Sequence, residues 1–178
     1  LSGPAGGVAG SRYAAHLLGH GDLIPFDMGG TSTDISLVVG GEAAIASDRR
    51  LAGQRVALQS LDIASIGAGG GSIARVDSAR VLHVGPESAG AVPGPACYGG
   101  GGQAATVTDA NLVLGFLDAD SFLGGRTRLD RPAAEAAVDR VAAALGVERM
   151  AAAEGIARVI NTRMAEGIRL VSVRRGVD

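Results

Sequence analysis

A chain of 178 residues is long enough for one domain with a real core, and its formal net charge of −2 offers no basic face for a nucleic-acid backbone. All 16 cationic side chains are arginine, so a Walker-type phosphate lysine and a Schiff-base lysine are both excluded within this segment. The lone cysteine, Cys97, excludes an intramolecular disulfide and fits a reducing, cytoplasmic setting, and no run of about 18 apolar residues is present to span a bilayer.

In chain order, Ser2-Gly3-Pro4 leads into an Ala-rich helix predicted over residues 5–18, with Ser2 as N-cap and Gly19 as stop. Apolar runs at 23–26 and 35–39 predict buried strands, and Gly40-Gly41 turns into a third run at 42–46. Together they predict an antiparallel β-meander. Residues 61–66 form another apolar stretch ended by Gly67-Ala68-Gly69-Gly70-Gly71, and the alternation at 72–76 and 80–84 around Asp77-Ser78 predicts a hairpin. The Gly/Pro-rich stretch 85–102 predicts an irregular, ordered loop. Helices follow from Thr108 to Leu117, from Arg131 to Leu145 (Pro132 in its first turn, Gly146 past its end) and from Ala151 to about Val173. The last carries Ile156, Val159, Ile160, Met164, Ile168 and Val171 at helical spacing. Strands first and helices later define an α/β class. Leu1 in place of Met, and an end just after a patterned helix, predict one piece of a longer protein.

The segment with the most specific chemistry is Asp27-Met28-Gly29-Gly30-Thr31-Ser32-Thr33-Asp34. Gly29 and Gly30 let backbone approach a ligand, and consecutive N–H groups then form a concave nest for an anion. Thr31, Ser32 and Thr33 add hydroxyl donors. Asp27, at a strand end, suits a hydrated Mg2+ bridging phosphates, and Asp34 either closes the loop or joins the metal shell. The plain alternative is a hairpin turn whose hydroxyls bond only locally. An Asp at each end and the flanking apolar runs favour phosphate.

These residues resemble the phosphate loops of the actin, hexokinase and Hsp70 superfamily. A longer series, in fixed order, narrows the resemblance: Ser2-Gly3-Pro4-Ala5-Gly6-Gly7, then 26–34, Ile66 to Ser72, Val84 to Gly99 and Thr106-Val107-Thr108-Asp109-Ala110-Asn111. Over essentially its whole length the chain is similar to the hydantoinase A/5-oxoprolinase family, which includes acetone and acetophenone carboxylase subunits. That resemblance implies an actin-like ATPase in which two RNase H-like lobes grip ATP and Mg2+. Residues 1–178 would be a single fragment, most of the second lobe, inactive alone. It further implies ATP-driven phosphorylation of a carbonyl or enol oxygen, opening a hydantoin- or 5-oxoproline-type ring, with ketone carboxylation and a non-catalytic nucleotide module as alternatives. A hydantoinase B-type subunit or fused domain, a small-molecule substrate and an oligomeric assembly are expected, without nucleic acid or membrane.

Gly69 and Gly70 stand in a run whose sixth position is Ser72, which argues against a dinucleotide fingerprint. They are read as a structural turn or, through the resemblance, as a nucleotide contact. Asp and Thr both suit a helix cap, so Asp109 is read either as a capping residue or, with Thr108 as the cap of the helix from Thr108 to Leu117, as a cleft-facing catalytic candidate beside Asn111. Cys97 has no nearby His to make it a nucleophile. His16 and His20 are spaced i, i+4, but Gly19 separates them from a common helix. His83 is read as a packing or hydrogen-bonded group, and Arg169, Arg174 and Arg175 as a solvated face.

Overall fold

The computed structural model describes residues 2–46, 49–51, 54–56, 60–173 and 175–177. The architecture is mixed α/β, and the chain divides into two compact units. The first comprises Leu1–Asp27, Thr33–Ile66 and Glu166–Asp178; the second comprises Met28–Ser32 and Gly67–Ala165.

In the first unit, helix α1 (Ser2–Leu17) begins at the residue read as its cap and stops at Gly19, whose φ of +72° suits glycine. The amides of Gly19 and His20 close the helix on the carbonyls of His16 and Ala15, so His20 lies beyond the helix and shares no face with His16. Strands β1 (Phe26–Met28) and β2 (Thr33–Ser36) flank the glycine turn, β3 (Val38–Val39) pairs with β4 (Glu42–Ala43), and β5 (Ile45–Ala46) pairs with β8 (Ser60–Leu61). Between them β6 (Arg49–Leu51) pairs with β7 (Gln54–Val56). Strand β9 (Ile63–Ile66) completes a three-stranded sheet of order β1-β2-β9.

This corrects the expected meander. The third strand of the main sheet is β9, and the Gly40-Gly41 turn makes only a separate two-stranded pair. The second strand also starts two residues earlier than its apolar run, because Thr33 and Asp34 already pair with Ile66 and Ser65. Apolar periodicity does not register polar residues at a strand's start.

Alternation along β2 sends its side chains to opposite faces. Thr33 and Ile35 share one face with Ile66 and Ala64, while Asp34 and Ser36 share the other with Ser65 and Ile63. Gly167 lies close on the first face: a Cβ there would meet Ile35 Cδ1 at 2.8 Å and Ile66 Cδ1 at 3.1 Å. Val8, Ile35, Leu37 and Val38 are buried here. Asp62 pairs with Arg175, which gives Arg175 a local partner; Arg169 is exposed, and Arg174 lies outside the described residues.

The second unit opens with the antiparallel pair β10 (Ser72–Val76) and β11 (Leu82–Ser88), which carries a bulge after Ser72. The second strand runs to Ser88, so the expected loop begins four residues later than its glycines suggest. Asp77 shapes the connection by accepting from the amides of Ala79 and Val81 and by pairing with His83 Nε2 at 2.7 Å. That hydrogen bond to His83 is the main cause holding the Asp77 carboxyl below its ordinary value. Helix α2 is Val107–Val113, α3 is Arg131–Leu145 and α4 is Arg149–Val173. In α3 the stripe Ala134, Ala137, Val138, Val141 and Ala142 is buried, with Asp130 capping the start and Gly146 left-handed at the end. Ile156, Ile160 and Met164 of α4 are buried, as their spacing predicts. No helix among the described residues is long and apolar enough to cross a membrane.

Ile35 has no exposed surface whereas Ile45 is 57% exposed. Ile35→Ala is expected to lower unfolding stability by about 2–5 kcal/mol in denaturant titration, and Ile45→Ala by less than about 1 kcal/mol. Because the Asp77 carboxyl is lowered on folding, its contribution is present above the ordinary carboxylate range and is lost as pH falls through the lower folded value. His83→Ala should therefore move the Asp77 carboxyl resonance titration upward.

Candidate functional site

The turn between β1 and β2 is closed by a hydrogen bond from the Gly29 amide to the Ser32 carbonyl at 2.8 Å. A second glycine segment lies against it within the same unit. The Gly70 amide donates to the Gly29 carbonyl at 3.0 Å, and the Gly71 amide donates to the Gly30 carbonyl at 2.6 Å. On the second segment only residues without side chains fit. A Cβ on Gly69 would stand 2.7 Å from the carbonyl oxygens of both Gly29 and Gly30, and one on Gly71 would stand 2.9 Å from the latter.

Pairing of this kind fixes the direction of the turn's donors. In a trans peptide the N–H points opposite to the C=O. With the Gly29 and Gly30 carbonyls turned toward the second glycine segment, the amides of Gly30 and Thr31 point away from it. Among the described residues nothing accepts from the amides of Gly30, Thr31 or Ser32. Successive free N–H groups of this type form an anion-binding concavity. Thr31 Oγ1 lies 3.3 Å from Ser88 Oγ, which ties the tip of the turn to the end of β11. Thr33, by contrast, is fully buried within β2.

Asp27 and Asp34 belong to the first unit. Both line a cavity of about 300 Å3 together with Gly7, Ser11 and Ser36. Asp27 is exposed and Asp34 half-buried, while Ser36 is 3% exposed and its Oγ has no hydrogen-bond partner. Gly7 of α1 lies beside Asp27: a Cβ there would make ordinary contact with Asp27 Oδ2, at 3.7 Å.

Asp109 is arranged differently. It has no exposed surface, and its Oδ2 accepts from the Thr106 hydroxyl at 2.7 Å, the Thr106 amide at 2.9 Å and the Ala96 amide at 3.3 Å. Its Oδ1 accepts from the Cys97 amide at 2.8 Å. The helix cap is Thr106, not Thr108, and Asp109 is the reciprocal member of a capping box. Its carboxyl is thus turned inward to hold the 96–97 turn, and Asn111 is half-buried. Cys97 is fully buried; burial, with the neighbouring Asp109 adding to it, pushes its thiol well above the ordinary range, the opposite of an activated nucleophile.

Thr108 is the residue that sequence reasoning assigned to the wrong task. Its amide and its Oγ1 both donate to the Gly70 carbonyl, each at 2.8 Å. The Thr106-x-x-Asp109 spacing was the signal for the true cap. Nothing local in the sequence announces the contact across 38 residues to Gly70.

The chain belongs to the hydantoinase/oxoprolinase family, whose model matches residues 1–178. It is 46% identical over 178 residues to caprolactamase subunit alpha of Pseudomonas jessenii, covering 99% of this chain and 26% of that one. The crystal structure of the ATP-dependent caprolactamase from that organism matches with a TM-score of 0.86, over 97% of this chain and 25% of that one. A nucleotide-free structure of acetone carboxylase matches with a TM-score of 0.90 at 34% identity, over 99% of this chain and 25% of that one. 5-Oxoprolinase 1 of Arabidopsis thaliana is 49% identical over 125 residues, 68% of this chain and 10% of its own length. The chain thus spans about a quarter of the caprolactamase and acetone carboxylase chains it matches and a tenth of the oxoprolinase.

Asp109→Ala leaves four buried donors without an acceptor and is expected to cost at least about 3 kcal/mol in equilibrium unfolding, whereas Asn111→Ala should cost less than about 1 kcal/mol.

Proposed function

We propose that this chain is the phosphate-binding part of a longer ATP- and Mg2+-dependent enzyme that opens a cyclic amide of the hydantoin or 5-oxoproline type. The observation that carries this reading is the pair of free amides at Gly30 and Thr31, turned outward by the pairing of two glycine segments, with the Ser32 amide also without an acceptor among the described residues. Family membership and two ATP-dependent relatives support the nucleotide. In this reading the chain is most of the second, RNase H-like lobe of an actin-like ATPase, with the β1-turn-β2 hairpin as its phosphate loop.

The residues present fit both groups. In this reading the free amides and the hydroxyls of Thr31 and Ser32 carry the anion, with no lysine of this chain involved. Mg2+ commonly takes one or two carboxylates and fills its remaining positions with water and phosphate oxygens. Asp27 and Asp34 suit that demand, and no cluster of three or more metal-ligating side chains occurs among the described residues. Thr33, buried in β2, shapes the loop exit. Gly69 and Gly70 act beneath the loop rather than on the nucleotide. Asp109 acts as a positioning residue rather than a catalytic one. Bound ATP supplies a phosphoryl group that turns a carbonyl oxygen into a better leaving group. The chain's own contribution is to hold the negative charge with fixed dipoles that need no reorganisation.

A hydantoinase B-type partner, separate or fused, an oligomeric assembly and a cytoplasmic setting belong to the same proposal. The likeness to acetone carboxylase favours ketone carboxylation as the second reading. A nucleotide-binding module without chemistry is the third.

The test is ATP hydrolysis by the whole protein with its partner, assayed with hydantoin, 5-oxoproline or caprolactam, and with acetone plus bicarbonate. Amide-stimulated hydrolysis supports the first reading, and ketone-stimulated hydrolysis the second. ATP binding without stimulated turnover supports the third. Asp27→Ala is expected to lower turnover by about 100-fold or more. Unchanged turnover and nucleotide affinity in that variant would remove Asp27 from the site.

A further inference from the structure

We propose that Thr108 is a positioning residue for the phosphate turn, acting on the Thr31 amide through two stacked peptide planes. The inference rests on the phosphate-binding reading of the Gly29–Ser32 turn and adds to it a residue that does not touch the ligand.

The connection can be followed atom by atom within the second unit. The Thr108 amide and hydroxyl both donate to the Gly70 carbonyl, at 2.8 Å each. That carbonyl shares a rigid peptide plane with the Gly71 amide, which points the opposite way and donates to the Gly30 carbonyl at 2.6 Å. The Gly30 carbonyl in turn shares a plane with the Thr31 amide, which has no acceptor among the described residues. Two donors at one end thus fix the orientation of two planes in series, and the last plane aims a free N–H outward.

Polarisation runs the same way. Each hydrogen bond accepted by a carbonyl makes the N–H of its own plane a stronger donor. Doubling the donors on Gly70 therefore strengthens the Gly71 amide and, through it, the Thr31 amide.

Packing leaves this path little freedom. Thr108 is 7% exposed, and a Cβ on Gly70 would stand 2.9 Å from its Oγ1, so the hydroxyl and a side chain at position 70 exclude each other. Thr108 is held in turn by the capping box of Thr106 and Asp109 at the start of α2. The buried Asp109 carboxyl is thereby linked to the turn without approaching it.

The experiment compares Thr108→Val, which removes the hydroxyl together with its donation to Gly70 and its interaction with the Tyr98 side chain, with Thr108→Ser, which keeps it, and Tyr98→Phe serves as the control for the second contact. Both are made in the whole protein, and ATP binding is measured by calorimetry. Loss of one such hydrogen bond is expected to weaken ATP binding by about 3- to 10-fold in Thr108→Val, with Thr108→Ser within about twofold of wild type. KM for ATP should rise in step while kcat stays within about twofold, since the interaction is made equally before and during reaction. In the nucleotide-free protein, hydrogen exchange of the peptide containing Gly71 should quicken in Thr108→Val and not in Thr108→Ser. Wild-type ATP affinity in Thr108→Val overturns the proposal, and so does unchanged exchange at Gly71. Should Thr108→Val not fold, Thr108→Ala is read by the same two measurements. Gly69→Ala separates the two levels of inference, because its Cβ strikes the turn's own carbonyls. If Gly69→Ala weakens ATP binding and Thr108→Val does not, only the Thr108 connection fails. If neither changes it, the phosphate reading of the turn fails as well.

Discussion

Two glycine segments far apart in the chain, Gly29–Gly30 and Gly69–Gly71, are paired backbone to backbone, and the candidate site depends on that pairing. It requires that Cβ atoms be absent from the second segment: a single methyl at Gly69 would stand 2.7 Å from two carbonyl oxygens. The pairing consumes the turn's acceptors and leaves its donors. A glycine turn without this second layer could rotate its peptides freely and present carbonyls and amides in turn. Glycine is costly in conformational entropy. Here the cost is offset by hydrogen bonds that fix each peptide.

Strand β2 divides two other requirements between its faces. Thr33 and Ile35 turn to the face approached by Gly167, and Asp34 and Ser36 turn to the face with the cavity that Asp27 also lines. Period-2 geometry does this without further instruction. One four-residue strand thereby contributes to a core and to a cavity where Asp34 and the unpartnered Ser36 hydroxyl meet apolar side chains such as Val8, Phe26 and Ile63. Asp109 shows the contrasting use of a carboxyl. Enclosed and fully engaged, it orders the 96–97 turn and the start of α2, and it stands at the origin of the connection that leads through Thr108 to the turn.

Much of the fold was legible in the chain. Helix α3 begins and ends where Pro132 and Gly146 place it, and the apolar spacing of Ile156, Ile160 and Met164 marks the buried stripe of α4. These features rest on local signals, caps and periodicity. The misreadings share one cause. The main sheet takes β9 rather than the strand after Gly40-Gly41, and β2 begins at Thr33 because Ile66 and Ser65 pair with it. Thr108 was taken for a cap because its hydroxyl partner, Gly70, lies 38 residues away.

By itself the sequence determined the residue types that make the chemistry available: glycines at 29, 30 and 69–71, carboxylates at 27 and 34, hydroxyls at 31 and 32, and no lysine anywhere. Its ordered motifs also carried the family. Only the tertiary structure decided which backbone groups remain free and which way they point. Hydrogen bonds between distant segments are won by proximity in space, and no local pattern records them. A glycine turn states that backbone can approach a ligand; the carbonyls that Gly70 and Gly71 occupy decide that it does so with its N–H groups.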